Sequence, residues 1–179
     1  MSDVVAGPAS PAVAPSLSRR MASFVYEGLI LFGILLIPGA VGALIVAVTG
    51  QQHSATSDLA LQVISFAIYA AYFTWFWTQR GQTLPMQTWR IKVVTADGRP
   101  LSWARAFVRY LASWLWVAPA AIIAGLNHWS FREEPRAMVA SASVGVLSYA
   151  LLALVLPQRQ FLHDLICSTK LVTEVRQAP

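Results

Sequence analysis

The carboxylate of Glu27 is the side chain best placed to do chemistry, because it lies inside a long apolar run, residues 21–48. If this run spans a membrane, a charge within it costs about 3 kcal/mol and faces protein or a water-filled cavity rather than lipid. Arg20 precedes Glu27 by seven residues and lies near the same helix face, about 10 Å away at 1.5 Å per residue. Glu27 is therefore either a proton or cation site or the structural partner of a basic residue; the basic residues considered are Arg20, Arg105 and Arg109.

Two further groups of polar residues flank apolar runs. His163 and Asp164 are adjacent and follow the last apolar run. An aspartate in this position holds a helix end or an arginine, or it is a structurally paired or solvated residue. Arg105 and Arg109 are four residues apart and share one face at the start of the third apolar run. Such arginines usually anchor a helix by reaching to lipid headgroups, and we expect both to do so.

The sequence nominates no metal centre, cofactor or catalytic residue. If the four apolar runs span a membrane, His53 and His128 lie in or beside segments on the opposite side from His163. With Cys167 as the one cysteine, a metal site is therefore not expected. The chain has no phosphate-binding glycine motif, no HExxH and no nucleophile elbow. We therefore expect a protein that is not an enzyme and needs no cofactor.

Composition requires that much of the chain faces something other than water. Hydrophobic residues make up 56% of the 179 residues and charged residues 12%, about half the share in a soluble domain. A membrane-spanning helix needs about 20 mostly apolar residues. Four stretches meet this requirement, at about residues 21–48, 59–78, 104–126 and 137–156. The sequence predicts an all-α integral membrane protein with four transmembrane helices.

The basic residues predict the orientation of these helices. Eleven of the 13 Lys and Arg residues fall on one side of a four-span arrangement: Arg19, Arg20, Arg80, Arg90, Lys92, Arg99, Arg105, Arg109, Arg159, Lys170 and Arg176. Cytoplasmic segments carry such an excess, so both termini are expected in the cytoplasm. The net charge of +5 then reflects topology and attraction to anionic lipids in the bilayer, and a nucleic-acid partner is not expected.

The polar segments predict smaller elements on the cytoplasmic side. Trp89, Ile91 and Val93 alternate with basic residues, which indicates a strand, and Asp97-Gly98 indicates a tight turn. Residues 170–175 alternate weakly and are the expected partner in a short β-ribbon. A short amphipathic helix is expected after the fourth span, lying at the inner surface, with Phe161, Leu162, Leu165 and Ile166 on its apolar face.

Both ends of the chain are expected to be flexible. Residues 1–18 are rich in Ala, Pro and Ser and predict a disordered cytoplasmic tail. A cleaved signal peptide is the alternative, but the apolar run is too long and too far from Met1 for one. Residues 19–173 form the predicted membrane domain, and residues 174–179 form a short flexible tail.

The motifs, in this order, resemble the RDD family of small bacterial membrane proteins, which is named for an arginine and two aspartates. Arg20 (or Arg19) and Glu27 in SRRMASFVYEGLILF take the places of the arginine and the first aspartate, and Asp164 in QRQFLHDLICSTKLV takes that of the second. The segment GQTLPMQTWRIKVVTADGRPLSWARAFVRY resembles the family's Gly-x-Thr run, basic strand and Asp-Gly turn. Two departures are Glu27 in place of aspartate and Leu84-Pro85 where the family often has a glycine.

The resemblance implies a bacterial inner-membrane protein, of a family for which transport has been proposed. It also implies one polar cluster of Arg20, Glu27 and Asp164, with Arg105, Arg109 and His163 in support. Our leading hypothesis is a small proton- or cation-linked transporter of an ion or small solute. It is expected to be a homo-oligomer, because four helices make a thin wall for a pathway. The competing hypothesis is a non-transporting scaffold or accessory subunit, in which the same residues lock the helix ends together.

Overall fold

The computed structural model describes residues 14–50, 55–127 and 134–174. Most of the predicted disordered tail and the last five residues lie outside these ranges. The first helix begins at Leu17, so the last two residues of the predicted tail, Leu17 and Ser18, are helical. Ser16 explains this start: its side chain accepts a hydrogen bond from the Arg19 backbone N–H at 3.4 Å and caps the helix.

Four candidate membrane spans are present in the described residues, and they confirm the predicted fold class. Helix α1 runs over Leu17–Thr49 and helix α2 over Ala55–Gln79. The third span consists of α4 (Trp103–Ser113), a 3₁₀ turn (Trp114–Trp116) and α5 (Val117–Leu126), and the fourth is α6 (Pro135–Val155). Each predicted boundary lies within about four residues of the observed one, as expected for helix ends located from hydropathy.

The 3₁₀ turn in the third span lies where Pro119 disturbs the helix. Proline has no N–H to donate to the carbonyl four residues earlier, that of Leu115, and its ring crowds that carbonyl. Gly145 of α6 packs against the same region: a Cβ at Gly145 would lie 3.0 Å from the Trp116 carbonyl oxygen. The absence of a side chain at Gly145 therefore allows α6 to approach the third span closely.

The predicted β-ribbon is present on one side of the bundle. Strands β1 (Ile91–Thr95) and β2 (Thr169–Thr173) pair antiparallel, with Ile91 opposite Thr173. After β1 the chain turns at Gly98, whose N–H donates to the Thr95 carbonyl at 2.8 Å. A short helix, α3 (Leu84–Thr88), precedes β1 and has no counterpart in the prediction. We call the end of the bundle that carries these elements the ribbon side.

The tightly packed core lies on the ribbon side rather than midway along the helices. Trp77, Ile91, Val93, Tyr110 and Leu171 are buried in one cluster beneath the ribbon. The half of α1 that lies away from the ribbon side is largely exposed, including the side chains of Leu44 and Val48. This distribution suits a bilayer, because lipid covers apolar side chains that in water would have to be buried by protein.

The helix predicted after the fourth span is present, but it is short and its polar residues face the protein. After a 3₁₀ turn (Pro157–Arg159), helix α7 spans only Leu162–Ile166. Its polar residues His163 and Asp164 are buried, whereas Ile166 is 58% exposed. The polar face turns inward because a buried arginine of α4 binds it, as described below.

Gly81 makes a testable contribution to the junction between α2 and the ribbon. Its φ is +70°, and an added Cβ would lie 2.9 Å from the Val93 carbonyl oxygen. Gly81→Ala is therefore expected to lower the free energy of unfolding by about 1–3 kcal/mol. Unfolding by sodium dodecyl sulfate in mixed micelles measures this. Gly98→Ala is the control, because its φ of +85° is similarly strained while nothing lies within 4 Å of the new Cβ. Equal effects of the two substitutions would contradict the close-contact explanation.

Candidate functional site

A cavity of about 460 Å³ lies between the membrane helices on the ribbon side. Most of its wall is apolar and aromatic, contributed by α1, α2, the third span and α6. Four ionisable or basic side chains named in the sequence analysis also line it: Arg20, Glu27, Arg109 and His163. Asp164 lies behind this wall rather than on it, and Arg105 is exposed outside the cavity. Of the predicted cluster, the cavity therefore joins Arg20 and Glu27 directly and Asp164 only through its partners.

Glu27 is buried, with 7% of its surface exposed. One carboxylate oxygen, Oε2, accepts a hydrogen bond of 2.6 Å from the Thr83 hydroxyl. The other oxygen, Oε1, has no hydrogen-bond partner among the described residues, although the Tyr72 hydroxyl lies near the carboxylate. Within these residues Glu27 forms no ion pair with Arg20, Arg105 or Arg109.

The position of Thr83 follows from local structure. It is the N-cap of α3, where its hydroxyl oxygen accepts a hydrogen bond from the Met86 backbone N–H at 3.4 Å. Pro85 lies in the first turn of α3, where the missing N–H of proline is tolerated. The hydroxyl proton of Thr83 is thus left to donate to Glu27. The short helix α3 serves to place one neutral donor beside the membrane carboxylate.

Arg20 is almost completely buried, with 4% of its surface exposed. Its Nη1 donates to the Arg159 carbonyl at 2.6 Å, and its guanidinium lies over the Phe161 ring at 5.0 Å. Its Nε–H is buried and has no acceptor in the described parts of the chain. Arg20 therefore ties the start of α1 to the segment after α6 while keeping an unused donor beside the cavity.

Asp164 is paired with Arg109, not with Arg20. Arg109 Nε and Nη2 lie 2.9 and 2.8 Å from Asp164 Oδ1, and the Thr169 hydroxyl donates to the same oxygen at 2.9 Å. Arg109 also lies over the Trp77 ring at 4.2 Å. Burial by itself raises the pKa of Asp164, but the charge of Arg109, the nearby His163 and the hydrogen bonds from Arg109 and Thr169 together outweigh burial and hold that pKa below its usual value.

The expectation that Arg109 reaches lipid headgroups is therefore wrong. Both Arg109 and Asp164 are buried, and their pair joins α4 to α7 and β2. Arg109 lies one turn further along the third span than Arg105, where the Asp164 carboxylate is within 2.8 Å of its guanidinium. Arg105 is exposed, so its predicted role at the headgroups stays a prediction.

His163 links the ion pair to α6, and its hydrogen bonds define its tautomer. Arg109 Nη2 lies 3.3 Å from His163 Nε2, and because a guanidinium only donates, Nε2 is the acceptor. The ring proton is therefore on Nδ1, which donates to the Tyr149 hydroxyl oxygen at 2.8 Å. The His163 backbone N–H donates to the same oxygen at 3.0 Å. Burial, with a smaller contribution from Arg109, lowers the pKa of His163 to about 4.

This network predicts that acid destabilises the protein. The pKa of His163 falls from 6.5 in the unfolded chain to about 4 in the folded one, so between these values only the unfolded chain binds the proton. The free energy of unfolding should therefore fall as pH decreases from 6.5 to 4. Because the pKa of Asp164 is also lowered in the folded protein, the free energy of unfolding should fall further at still lower pH. Midpoints of unfolding in detergent, measured at several pH values, test this. In His163→Gln the free energy of unfolding should depend less on pH between 6.5 and 4, and an unchanged pH dependence would contradict the role given to His163.

Several residues of the site were not predicted from the sequence. Thr83 stands in the Gly-x-Thr run, but nothing in that run indicated that the threonine reaches Glu27. Tyr72, Trp77 and Tyr149 had no signal in the sequence that placed them at the site. Across residues 14–50, 55–127 and 134–174, no three His, Cys, Asp or Glu side chains lie close enough to hold a metal ion.

Comparison with known proteins supports the resemblance found in the motifs. The profile of the RDD family matches residues 14–168, which is most of the chain and includes Arg20, Glu27 and Asp164. No curated protein and no solved structure matches the chain. With four apolar membrane helices and this match, the protein is an integral, multi-pass membrane protein that belongs to the RDD family.

Proposed function

We propose that the protein is a small proton- or cation-linked transporter and that Glu27 is its ion-binding carboxylate. The observation that carries the proposal is the state of Glu27: it is buried within the first candidate membrane span, lines a cavity and has no basic partner among the described residues. Its Oε1 is left without a hydrogen-bond partner there. An intramembrane carboxylate in this state is stabilised by binding a proton or a cation, which is the step that ion coupling requires.

The environment of Asp164 differs from that of Glu27 and supports a different role for each carboxylate. Asp164 is completely buried, and its Oδ1 receives two donors of Arg109 and one of Thr169. Arg109 already compensates its charge, so Asp164 has little reason to bind a further cation. We assign Asp164 and Arg109 to closing the ribbon side of the bundle, and Glu27 to ion binding. Arg20 lies in the same cavity, and its positive charge would tune the affinity of Glu27.

The location and assembly of the transporter are part of the proposal. We place it in the bacterial inner membrane with the ribbon side in the cytoplasm, which is supported by the basic residues that precede α1, surround the ribbon and begin the third span. We further propose a homo-oligomer, because four helices make a thin wall for a pathway. We propose an ion or a small solute as substrate, and no enzymatic reaction.

A scaffold or accessory subunit without transport is the second candidate function. The buried Arg109–Asp164 pair favours it, because this pair joins the third span, α7 and β2 and needs no ligand. In that case Glu27 is a structural residue held by Thr83. The two candidates differ in what Glu27 does when its charge is removed.

Flux measurements in liposomes test the proposal. Purified wild type should carry protons or sodium, and Glu27→Gln should not, while remaining folded and in the same oligomeric state. Glu134→Gln is the matched control, because Glu134 is an exposed carboxylate at the far end of α6. Absence of proton and sodium flux from well-folded wild type would contradict coupling to these ions and favour the scaffold.

A further inference from the structure

The atoms without partners on the cavity wall are mostly hydrogen-bond donors. Among the described residues that line it, Arg20 Nε–H and Trp77 Nε1–H are buried without an acceptor. Both side chains are at least nine-tenths buried, so bulk water does not readily satisfy them. The unpartnered acceptor on this wall is Glu27 Oε1. A buried donor without a partner costs about 1–3 kcal/mol, more when it belongs to a charged group.

Tyr149 contributes a third donor. Its hydroxyl oxygen already accepts from both His163 Nδ1–H and the His163 backbone N–H, which uses both lone pairs. The hydroxyl proton must then be donated, and no acceptor for it occurs in the described parts of the chain. Tyr149 lines the cavity.

These donors belong to one end of the cavity. The guanidinium of Arg20 lies over Phe161, whose ring stacks with those of Tyr149 and His163. Arg109 connects His163 to Trp77, since it hydrogen-bonds the first and lies over the second. The positive charge of Arg109 is compensated by Asp164, whereas Arg20 forms no ion pair with a described residue. This end therefore presents donors and a positive charge.

The rest of the cavity is apolar. Beyond Glu27 it extends along α1 to Leu31, which is about 16 Å from Arg20 at 1.5 Å per residue. The apolar lining also includes Phe24 of α1 and Trp114 and Trp116 of the third span. A volume of about 460 Å³ is in the usual range for a small-molecule site. A ligand that suits both ends has an oxyanion at one end and a hydrocarbon chain at the other.

We propose that this cavity binds an anionic amphiphile, with its carboxylate or phosphate oxygens received by Arg20, Trp77 and Tyr149 and its acyl chain against the aromatic wall. The site does not depend on the ion coupling proposed for Glu27. An ionised Glu27 on the same wall repels an anion, so Glu27→Gln is expected to bind the amphiphile at least as tightly as wild type. Loss of ion flux with retained amphiphile binding in Glu27→Gln thus separates the two proposals.

Binding of radiolabelled oleate to the purified protein in dodecyl maltoside, measured by scintillation proximity, tests the inference. We expect saturable binding of one oleate per protomer, weakened about tenfold by Arg20→Gln and by Tyr149→Phe. Arg105→Gln, which removes an exposed arginine of the third span, should bind as wild type does. Each variant is first checked for a single peak in size-exclusion chromatography, and Tyr149→Phe keeps the test decisive if Arg20→Gln does not fold.

Competition with unlabelled probes identifies what is recognised. Oleyl alcohol has the same chain without the charge and should compete at least tenfold more weakly than oleate. If dioleoylphosphatidylglycerol displaces oleate, the inference holds and the site accepts a phosphate headgroup. If it does not, the inference holds for a carboxylate. Displacement by inorganic phosphate would show a free-anion site and overturn the inference. Equal competition by oleyl alcohol, no saturable binding, or equal weakening by Arg20→Gln and Arg105→Gln would also overturn it.

Discussion

Asp164→Asn is expected to lower the free energy of unfolding by about 3–5 kcal/mol, because it leaves the buried guanidinium of Arg109 without a compensating charge. The lost interaction joins two parts of the chain 55 residues apart and includes both Nε and Nη2 of Arg109. The asparagine still accepts hydrogen bonds, so the expected loss reports on charge rather than shape. The midpoint of unfolding in mixtures of sodium dodecyl sulfate and dodecyl maltoside measures it.

A double-mutant cycle measures the interaction between Arg109 and Asp164 separately from any general loss of stability caused by each substitution. Arg109→Gln alone leaves Asp164 as an unpaired buried carboxylate and should destabilise to a similar extent. The double variant carries no charge at either position of the pair, so its loss of stability should be smaller than the sum of the two single losses by about 1–3 kcal/mol. Arg105→Gln is the control on the same helix and should have little effect, because Arg105 is exposed. Additive single effects would show that the two charges do not stabilise each other.

Glu27→Gln is expected to reduce ion flux to the level of empty liposomes, because an amide neither carries the negative charge nor releases a proton. The substitution keeps the length of the side chain and one acceptor for the Thr83 hydroxyl, so the fold should be retained. Glu27→Asp restores the residue that the family pattern has at this position but shortens the side chain by one methylene. We expect reduced but measurable flux from this variant. Full flux from Glu27→Gln would exclude Glu27 as the ion-binding group.

Thr83→Val tests whether the neutral donor tunes the same site. The valine keeps the shape of threonine and removes the hydroxyl that donates to Glu27 at 2.6 Å. A hydrogen bond to a charged group contributes about 1.5–3 kcal/mol, so the half-saturating ion concentration should change by about tenfold or more. Thr88→Val, an exposed threonine at the end of α3, is the matched control. Identical ion dependence in the two variants would show that Thr83 has only its capping role.

The sequence alone was sufficient to predict the elements that have a local signal. Apolar runs of spanning length located the four membrane helices, since the thickness of the bilayer determines how many residues a helix needs. Alternation of polar and apolar residues located β1. The start of α1 at Leu17 follows from the cap at Ser16, which composition does not indicate.

The tertiary structure alone decided which charges meet. Arg109 pairs with Asp164, and Glu27 meets Thr83 rather than a basic residue. In both cases the partners are more than 50 residues apart, so their contact depends on how each helix is rotated and where it is placed along its neighbours. Spacing within a helix determines which residues share a face, but not which neighbour that face contacts. For this reason the residues of the site could be nominated from the sequence, whereas the separate roles of Glu27 and Asp164 required the packed structure.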